Sequence, residues 1–237
     1  RFAAAITSSS ASLAIIIPPS IPMILYGALS NTSIVQLFVA GIVPGVLGGF
    51  LLMALSYYFA VRYNLPREDG FSLPRLWHAT KDAAWALVLP IIILGGIFGG
   101  LVTATEGAGL AVVTALFIGV FIYREIDLGR LYHSLVEGIL HGAAAIILTV
   151  PIFMPLVHQL GIDPVQFGIL LTLNIALGQQ TPPVASVLVT SCSIAKTDVW
   201  STTKTNLPFI AVLMLVLLLV TYVPPVSLGL VDAFYDR

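Results

Sequence analysis

Long apolar runs indicate whether water or lipid surrounds most of this chain. Residues 34–61 contain no charged side chain, and the run exceeds the roughly 20 residues that an α-helix needs to cross a bilayer. Only 9% of the whole chain is charged and 58% is hydrophobic, whereas soluble domains carry about 25% charged residues. There is too little polar surface to cover a globule in water. The sequence therefore predicts an all-α integral membrane protein.

Seven apolar segments follow one another, at 2–29, 34–61, 83–102, 108–123, 142–157, 164–194 and 207–223. Basic residues concentrate on the cytoplasmic side of membrane proteins. If every segment crosses, nine of the ten Lys and Arg residues share one face and only Arg237 lies opposite. These nine are Arg1, Arg62, Arg67, Arg75, Lys81, Arg124, Arg130, Lys196 and Lys204. The sequence therefore predicts a multi-pass protein with that face in the cytoplasm.

The loop 62–82 contains the stretch SLPRLWHATKDA, which has two interpretations. It is typical of a short amphipathic helix that lies in the membrane interface, with Leu76 and Trp77 at the headgroup level. It fits a plain solvated loop equally well.

Two proline pairs, at 18–19 and 182–183, interrupt the first and the sixth segment. A shift of 164 positions places one pair on the other and also places Pro44 on Pro208. Five predicted crossings separate the two copies, so the copies point in opposite directions across the membrane. Inverted repeats with matching broken helices are typical of secondary transporters, whose binding sites lie at the breaks.

Each proline pair frees backbone carbonyls inside an apolar segment, because proline lacks an N–H donor and clashes with the preceding turn. In hydrocarbon such carbonyls need a wet cavity or a cation, and the half-helix that starts at each break favours an anion nearby. Neutral polar side chains lie close by, namely Ser8, Ser9, Ser10, Ser12 and Ser20 at the first break and Gln179, Gln180, Thr181 and Ser186 at the second. No acidic residue lies at either break, which favours Na⁺ over a proton carried by a buried carboxylate. The alternative is a pair of plain proline kinks with the hydroxyls bonded to their own helices.

Acidic and imidazole side chains elsewhere have structural explanations. Thr103 and Glu106 have the spacing of a capping box, and Asp163 precedes Pro164 as an N-cap precedes the first helical residue. The four His residues lack metal-ligand spacing, and no catalytic motif is visible. A net charge of −1 argues against nucleic acid as a partner. The sequence therefore gives no reason to expect an enzymatic function.

Five stretches of the chain resemble the large membrane (M) subunit of tripartite ATP-independent periplasmic (TRAP) transporters. They are SLAIIIPPSIPMILYG (12–27), SIVQLFVAGIVPG (33–45), LPIIILGGIFGGLVTATEGAG (89–109), TVPIFMPLVHQLGIDPVQFGIL (149–170) and NIALGQQTPPV (174–184). They cover most of the chain in the family's order, and TATEGA stands where the family usually has TPTEAA.

The resemblance implies an inverted-repeat, elevator-type fold of the ion-transporter superfamily, with re-entrant hairpins beside the discontinuous helices. It implies Na⁺-coupled import of organic anions, such as C4-dicarboxylates or sialic and sugar acids, across the bacterial inner membrane. A periplasmic substrate-binding protein would deliver the substrate, and a small membrane (Q) subunit would hold the scaffold.

The resemblance also places the sites on the two breaks. One Na⁺ would lie near Ser9, Ile16, Ile17 and Pro18, and the other near Gly178, Gln179, Gln180 and Pro182. Substrate would be contacted by Ser20, Thr181, Pro19 and Pro183.

Two departures from the family affect the expected organisation. Arg1 corresponds to a point well inside the family's sequence, so an earlier part with its hairpin tip is expected to be missing. A further block is expected to be missing near 141–145, which would make 135–142 and 143–157 separate elements. The expected divisions are 1–61 (end of the first repeat), 62–82 (cytoplasmic interfacial loop), 83–142 (scaffold and arm helices that start the second repeat) and 143–237 (its end).

Two other functions remain open at this point. One is a related stand-alone symporter that couples a divalent anion to Na⁺ without a binding protein. The other is a membrane scaffold subunit that transports nothing.

Overall fold

The computed structural model describes residues 1–65, 70, 72–122 and 128–235, with residues 128–142 described by their backbone. Within these ranges the chain is helical and contains no β-strand. The helices are α1 (Phe2–Leu13), α2 (Ile21–Ser30), α3 (Ile34–Arg62), α4 (Leu73–Asp82), α5 (Ala84–Phe98), α6 (Ala104–Phe117), α7 (Leu128–Gln159), α8 (Pro164–Gly178), α9 (Ser186–Ile194), α10 (Val199–Tyr222) and α11 (Pro225–Tyr235). A short π-helical segment, Ile118–Ile122, follows α6 directly.

The chain divides into two compact units. The larger unit contains Arg1–Asn64 and Gly142–Arg237, and the smaller contains Leu65–His141. Both proline pairs belong to the larger unit, so the fold brings two breaks together that are 164 positions apart in sequence.

The larger unit is held together by pairs of helices that come from opposite ends of the chain. Helix α1 packs against α9 and α10, while α8 packs against α2 and α3, and α3 packs against α10. Exchanging α1 with α8, α2 with α9 and α3 with α10 leaves this set of pairs unchanged. Close approach depends on small residues, since a Cβ on Gly168 of α8 would stand 2.6 Å from both Leu37 and Tyr26.

The predicted interruptions of the first and sixth segments are confirmed. The first segment consists of α1 and α2, separated by residues 14–20, and the sixth consists of α8 and α9, separated by residues 179–185. We refer to these connections as the first break and the second break. None of these four helices has the 18 residues expected of a span, because each break ends the backbone ladder of its segment.

In the described part of the chain, two helices are long and apolar enough to cross a membrane by themselves. They are Ile34–Arg62 and Val199–Tyr222. The pair Leu73–Asp82 and Leu87–Phe98 adds a third candidate if it is counted as one span, although it bends by 67°. The predicted segment 34–61 therefore matches α3, and segment 207–223 starts too late because α10 begins at Val199. That all seven apolar segments cross the membrane stays a prediction.

Helix α7 differs from the expectation of two elements meeting near 141–145. The backbone is helical from Leu128 to Gln159 without interruption, so 135–142 and 143–157 are not separate elements in the structure. Three consecutive alanines at 143–145 favour continuation of the helix at this point, because alanine has the highest helix propensity.

Both predicted helix caps are confirmed. Thr103 and Glu106 form a reciprocal capping box at the start of α6, so this helix begins at Ala104 rather than at 108. The Asp163 carboxylate accepts hydrogen bonds from the N–H groups of Val165 (2.7 Å) and Gln166 (3.3 Å), with Pro164 as the first residue of α8.

The loop 62–82 contains helix α4, so the helical interpretation is correct from Leu73 to Asp82. Its Leu73 and Trp77 side chains are exposed, and a position in the membrane interface stays a prediction. Arg67, Arg124 and Arg237 lie outside the described residues, as do the side chains of Arg130, His133 and His141.

Candidate functional site

The first break is closed by one serine. The N–H groups of Ile16 and Ile17 both donate to the Leu13 carbonyl, at 3.0 and 2.9 Å, which tightens the end of α1. Ser20 then caps α2, because its hydroxyl accepts from the Met23 N–H at 3.5 Å. The same hydroxyl donates to the Ile15 carbonyl at 2.5 Å. The Pro18–Pro19 peptide bond is cis.

Backbone carbonyls at the first break lack hydrogen-bond donors. Within the described ranges, no donor reaches the carbonyls of Ile16 and Ile17. The Ile16 oxygen lies against α3, where a Cβ on Gly41 would stand only 2.6 Å from it. The absence of a side chain at Gly41 is therefore what leaves room for this carbonyl.

The second break is closed by the backbone. The Gly178 carbonyl accepts from the Thr181 N–H (3.3 Å), and the Gln179 carbonyl accepts from the Val187 N–H (3.1 Å). Ala185 precedes α9 with φ 37°, in the left-handed region that an alanine adopts with strain. The Gln180 carbonyl receives no donor from the described part of the chain. The Pro182–Pro183 bond is also cis.

A buried network of neutral side chains joins α1 to the second break. The Ser9 hydroxyl stands 3.1 Å from Gln180 Oε1 and 2.7 Å from Asn206 Oδ1, within donating distance of both. Asn206 Nδ2 donates to Gln180 Oε1 at 3.2 Å, and Gln180 Nε2 donates to Ser12 Oγ at 2.6 Å. All four side chains are at most 1% exposed. The network therefore contains no formal charge and is closed to solvent.

Ser8 adds an unsatisfied group beside this network. It belongs to the same helix as Ser9 and Ser12, it is fully buried, and its Oγ finds no partner among the described residues. A buried hydroxyl without a partner loses its hydration without compensation. Such an oxygen is available to a water molecule or a cation.

The structure brings together some of the predicted ion-site residues and separates others. Ser9, assigned to the first ion site, touches Gln180, assigned to the second. The carbonyls of Gly178 and Gln179 are already hydrogen-bonded to backbone N–H groups. Pro18 and Pro182 are both half-buried. No group of three His, Cys, Asp or Glu side chains suitable for a metal occurs in the described ranges.

The four predicted substrate contacts differ in accessibility. Ser20 is buried and its hydroxyl already makes two hydrogen bonds, and Pro19 is half-buried. Thr181 donates to the Leu177 carbonyl at 2.8 Å, and Thr181 and Pro183 are exposed. Their assignment to substrate stays a prediction.

Two residues of this region were missed by the sequence analysis. Asn206 is fully buried, but it ends the polar run STTKTN at residues 201–206, and nothing in that run distinguishes it from its neighbours. Gly41 carries no signal either, because glycine is frequent throughout α3 and only packing singles it out.

Discontinuous apolar helices around a buried neutral network define a membrane-embedded protein of the broken-helix type. Comparison with known proteins identifies the family. Residues 1–144 and 136–226 match the family described as "Tripartite ATP-independent periplasmic transporter, DctM component". The chain belongs to this family, whose members are transporter components, and it is not an enzyme.

Several curated relatives match over nearly the whole chain. The isethionate TRAP transporter permease protein DctMQ of Oleidesulfovibrio alaskensis is 33% identical, covering 96% of this chain and 45% of the relative. The C4-dicarboxylate TRAP transporter large permease protein DctM of Pseudomonas aeruginosa is 31% identical, covering 97% of this chain and 67% of the relative. The sialic acid TRAP transporter permease protein SiaT of Haemophilus influenzae is 30% identical, covering 93% of this chain and 45% of the relative.

The chain thus spans about half to two thirds of the length of these relatives. The alignment with the DctMQ relative extends over 285 positions, 48 more than the 237 residues of this chain. That relative therefore contains residues inside the aligned region that this chain lacks. The two family matches meet at residues 136–144.

Proposed function

We propose that this chain is the translocating membrane subunit of a Na⁺-coupled importer of organic anions. The observation that carries the proposal is the meeting of two broken helices around buried neutral oxygens. The carbonyls of Ile16, Ile17 and Gln180 receive no hydrogen bond within the described ranges, and the apolar unit that contains them also contains the network of Ser and amide side chains. An arrangement of this kind suits a small hard cation, which prefers oxygen ligands.

Two Na⁺ ions would be held, one at each break. The first would lie near Ser9, Ile16, Ile17 and Pro18, and the second near Gly178, Gln179, Gln180 and Pro182. At the second site, Gln180 is the more available carbonyl, because those of Gly178 and Gln179 already accept hydrogen bonds. The absence of acidic residues from the sequence of both breaks supports Na⁺ rather than a proton as the coupling ion.

The substrate would be a small organic anion at the starts of α2 and α9. Each of these helices begins at a break, and the positive end of its dipole favours negative charge. Ser20, Pro19, Thr181 and Pro183 occupy these positions. The relatives are named for C4-dicarboxylate, isethionate and sialic acid, which are all organic anions.

Transport would use an inverted repeat moving as an elevator in the bacterial inner membrane. The exchange of α1, α2, α3 with α8, α9, α10 preserves the packing pairs among these six helices, as a two-fold related repeat requires. The loop after α2 is uncharged, whereas the one after α9 contains Lys196, and Lys204 lies near the start of α10. This asymmetry supports opposite orientations of the two copies.

The remaining parts of the transporter would come from elsewhere. A periplasmic binding protein would deliver the anion, and a small membrane subunit would support the scaffold, as the family description implies. The alignment length supports the expected missing block, and the place where the two family matches meet is consistent with 141–145.

The test is uptake by the complete transporter containing this chain, reconstituted in liposomes. Labelled succinate, sialic acid and isethionate are offered separately, with and without binding protein, under an inward Na⁺ or K⁺ gradient. One anion should accumulate only with Na⁺ and binding protein together. Uptake that ignores Na⁺ contradicts the coupling, and uptake without binding protein supports a stand-alone symporter.

Variants separate transport from a scaffold role. Gln180→Ala should abolish or weaken the Na⁺ dependence of uptake. It removes the amide whose oxygen contacts Ser9 and whose nitrogen donates to Ser12. Asn174→Ala is the matched control, since Asn174 is exposed and bonds only to the Leu170 carbonyl of its own helix. Unchanged function in Gln180→Ala contradicts the assignment of this site.

A further inference from the structure

Asn206 is the only one of the network side chains that comes from α10. It is fully buried, and its amide contacts two groups on two different elements. Asn206 Oδ1 lies 2.7 Å from the Ser9 hydroxyl of α1, and Asn206 Nδ2 lies 3.2 Å from Gln180 Oε1 in the second break. One planar amide therefore spans the contact between α1 and the break.

The hydrogen bonds of the network run in one direction. Asn206 donates to Gln180, Gln180 donates to Ser12, and Ser12 donates to the carbonyl of Ser8 at 3.3 Å. The Ser9 hydroxyl donates a hydrogen bond to Asn206 Oδ1. Turning the Asn206 amide over would bring its oxygen against Gln180 Oε1, and turning the Gln180 amide over would bring its NH₂ group against that of Asn206. Each amide therefore holds the orientation of the other.

The two ends of this contact belong to different proposed ion sites. Ser9 belongs to the site at the first break and Gln180 to the site at the second. They touch directly at 3.1 Å, and Gln180 Nε2 also contacts Ser12, but both serine hydroxyls can donate or accept, so these two contacts allow either orientation of the Gln180 amide. Asn206 removes that freedom, because it bonds to both partners at once. A displacement of Ser9 by an ion is thereby passed to Gln180, and the reverse follows by thermodynamic linkage.

We propose that Asn206 is the positioning residue that couples the two Na⁺ sites, and the inference rests on the proposed function. It does not require Asn206 to touch an ion. If Asn206 is removed, Gln180 Oε1 keeps its contact with Ser9 and Gln180 Nε2 keeps its contact with Ser12. Both sites therefore survive, and what is lost is their cooperation.

The experiment is equilibrium binding of ²²Na⁺ to the complete transporter in nanodiscs, without substrate. The unaltered protein should bind Na⁺ sigmoidally, with a Hill coefficient above one. In Asn206→Ala the Hill coefficient should fall to about one, and the half-saturating Na⁺ concentration should rise roughly fivefold or more, which is the lower range of typical coupling between sites. Thermal unfolding without Na⁺ is measured in parallel, so that lost cooperation is distinguished from lost folding.

Asn206→Leu provides a second route to the same test, because leucine keeps a branched side chain in place but makes neither hydrogen bond. It should reduce the Hill coefficient as Asn206→Ala does, and it decides the matter if Asn206→Ala does not fold. Asn174→Ala and Ser193→Ala are the matched controls, since both residues are exposed on other faces of the same unit, and both should leave the binding curve unchanged.

The outcomes separate this inference from the function on which it rests. An unchanged Hill coefficient in folded Asn206→Ala, or in folded Asn206→Leu, overturns the inference and leaves the proposed function standing. Non-cooperative Na⁺ binding by the unaltered protein has the same consequence. Absence of any Na⁺ binding by the unaltered protein overturns the proposed function itself.

Discussion

Both breaks interrupt a helix and leave backbone groups that the helix no longer pairs, but different groups satisfy them at each break. At the first break a side chain, Ser20, satisfies the Ile15 carbonyl and caps α2, and the break packs on the bare backbone of Gly41. At the second break the backbone closes on itself through a left-handed Ala185, and a buried amide, Gln180, reaches into the network. The first break is thus apolar and closely packed, whereas the second is polar and strained.

This difference indicates where each break is vulnerable. The first should respond to changes of volume and to the loss of one hydroxyl. The second should respond to backbone freedom and to the hydrogen bonding of Gln180. Substitutions at matched positions test whether the two breaks differ in this way.

Gly41→Ala should give the largest effect. The new methyl group would stand 2.6 Å from the Ile16 carbonyl oxygen and 2.8 Å from Met23 Cε, so the break must shift. We expect a loss of about 1–3 kcal/mol of stability, typical of overpacking, together with weaker Na⁺ binding at the first break. Unfolding is measured with a maleimide dye that reacts with Cys192, the single cysteine of this chain, which is buried until unfolding.

Gly49→Ala is the control on the same helix. A Cβ at Gly49 meets no atom closer than 3.8 Å, so the substitution should raise stability through better helix propensity. Equal stability of the two variants would show that the first break is not closely packed on α3.

Ser20→Ala should give the next effect. It removes the N-cap of α2 and leaves the Ile15 carbonyl without its donor. Loss of such a cap costs about 1 kcal/mol, which should appear as a lower unfolding midpoint in the same dye assay. Ser72→Ala is the matched control, because Ser72 precedes α4 without making a side-chain cap bond. A loss as large in Ser72→Ala would remove the special role of Ser20.

Ala185→Gly should give a smaller effect of opposite sign. Glycine relieves the left-handed strain of about 1–2 kcal/mol, but it loses about 0.5–1 kcal/mol in chain entropy and the contact of the Ala185 methyl group with Ala4 and Leu188. We expect a gain of a few tenths of a kcal/mol, measured by scanning calorimetry.

Ala195→Gly tests the same replacement without the strain. Ala195 has φ −79° in the ordinary right-handed region, so glycine should lower stability there. A lower melting temperature in Ala185→Gly as well would show that the second break is not strained at this residue.

Asp198→Asn should give the smallest effect, visible only in acid. The N–H of Ser201 is the main cause that lowers the pKa of the Asp198 carboxyl below its ordinary value of 3.8. A lowered pKa in the folded state means that the stabilisation is present above the unfolded pKa and is lost as pH falls through the folded one. The unaltered protein should therefore lose stability relative to Asp198→Asn below about pH 4.

Melting temperatures of both proteins between pH 6 and pH 3 test this prediction. The variant keeps an oxygen that can cap α10 but cannot titrate. Its counterpart at the start of α3 is Ser33, which accepts from the Gln36 N–H and has no charge to lose. A parallel pH dependence of the two proteins would show that the acid response arises elsewhere.

Local chemistry made several features predictable. The proline pairs at 18–19 and 182–183 had to interrupt their helices, because proline cannot donate to the backbone ladder. Asp163 and the Thr103–Glu106 pair were recognisable as caps, because a cap depends on neighbours within three residues. The start of α10 was missed because the polar stretch 199–206 looks like a loop until Asp198 is recognised as its N-cap.

Long-range contacts were not predictable in the same way. The sequence suggested polar residues at both breaks, but not that Ser9 and Gln180 touch across 171 positions. Asn206 joins them only because α1 and α10 pack together, which no local pattern reports. Gly41 acquires its role from the Ile16 carbonyl opposite it rather than from its own neighbours.

Hydrophobicity and the backbone donors along the chain were enough to predict that most of the protein lies in lipid, that it is helical, and where two of its helices must break. That the two breaks belong to one unit, and that the Asn206 amide contacts both Ser9 and Gln180, could be seen only in the tertiary structure. The physical reason is that packing is selected by shape over the whole unit, where a missing methyl group at Gly41 or a buried amide at Asn206 acquires its meaning from residues far away in the chain.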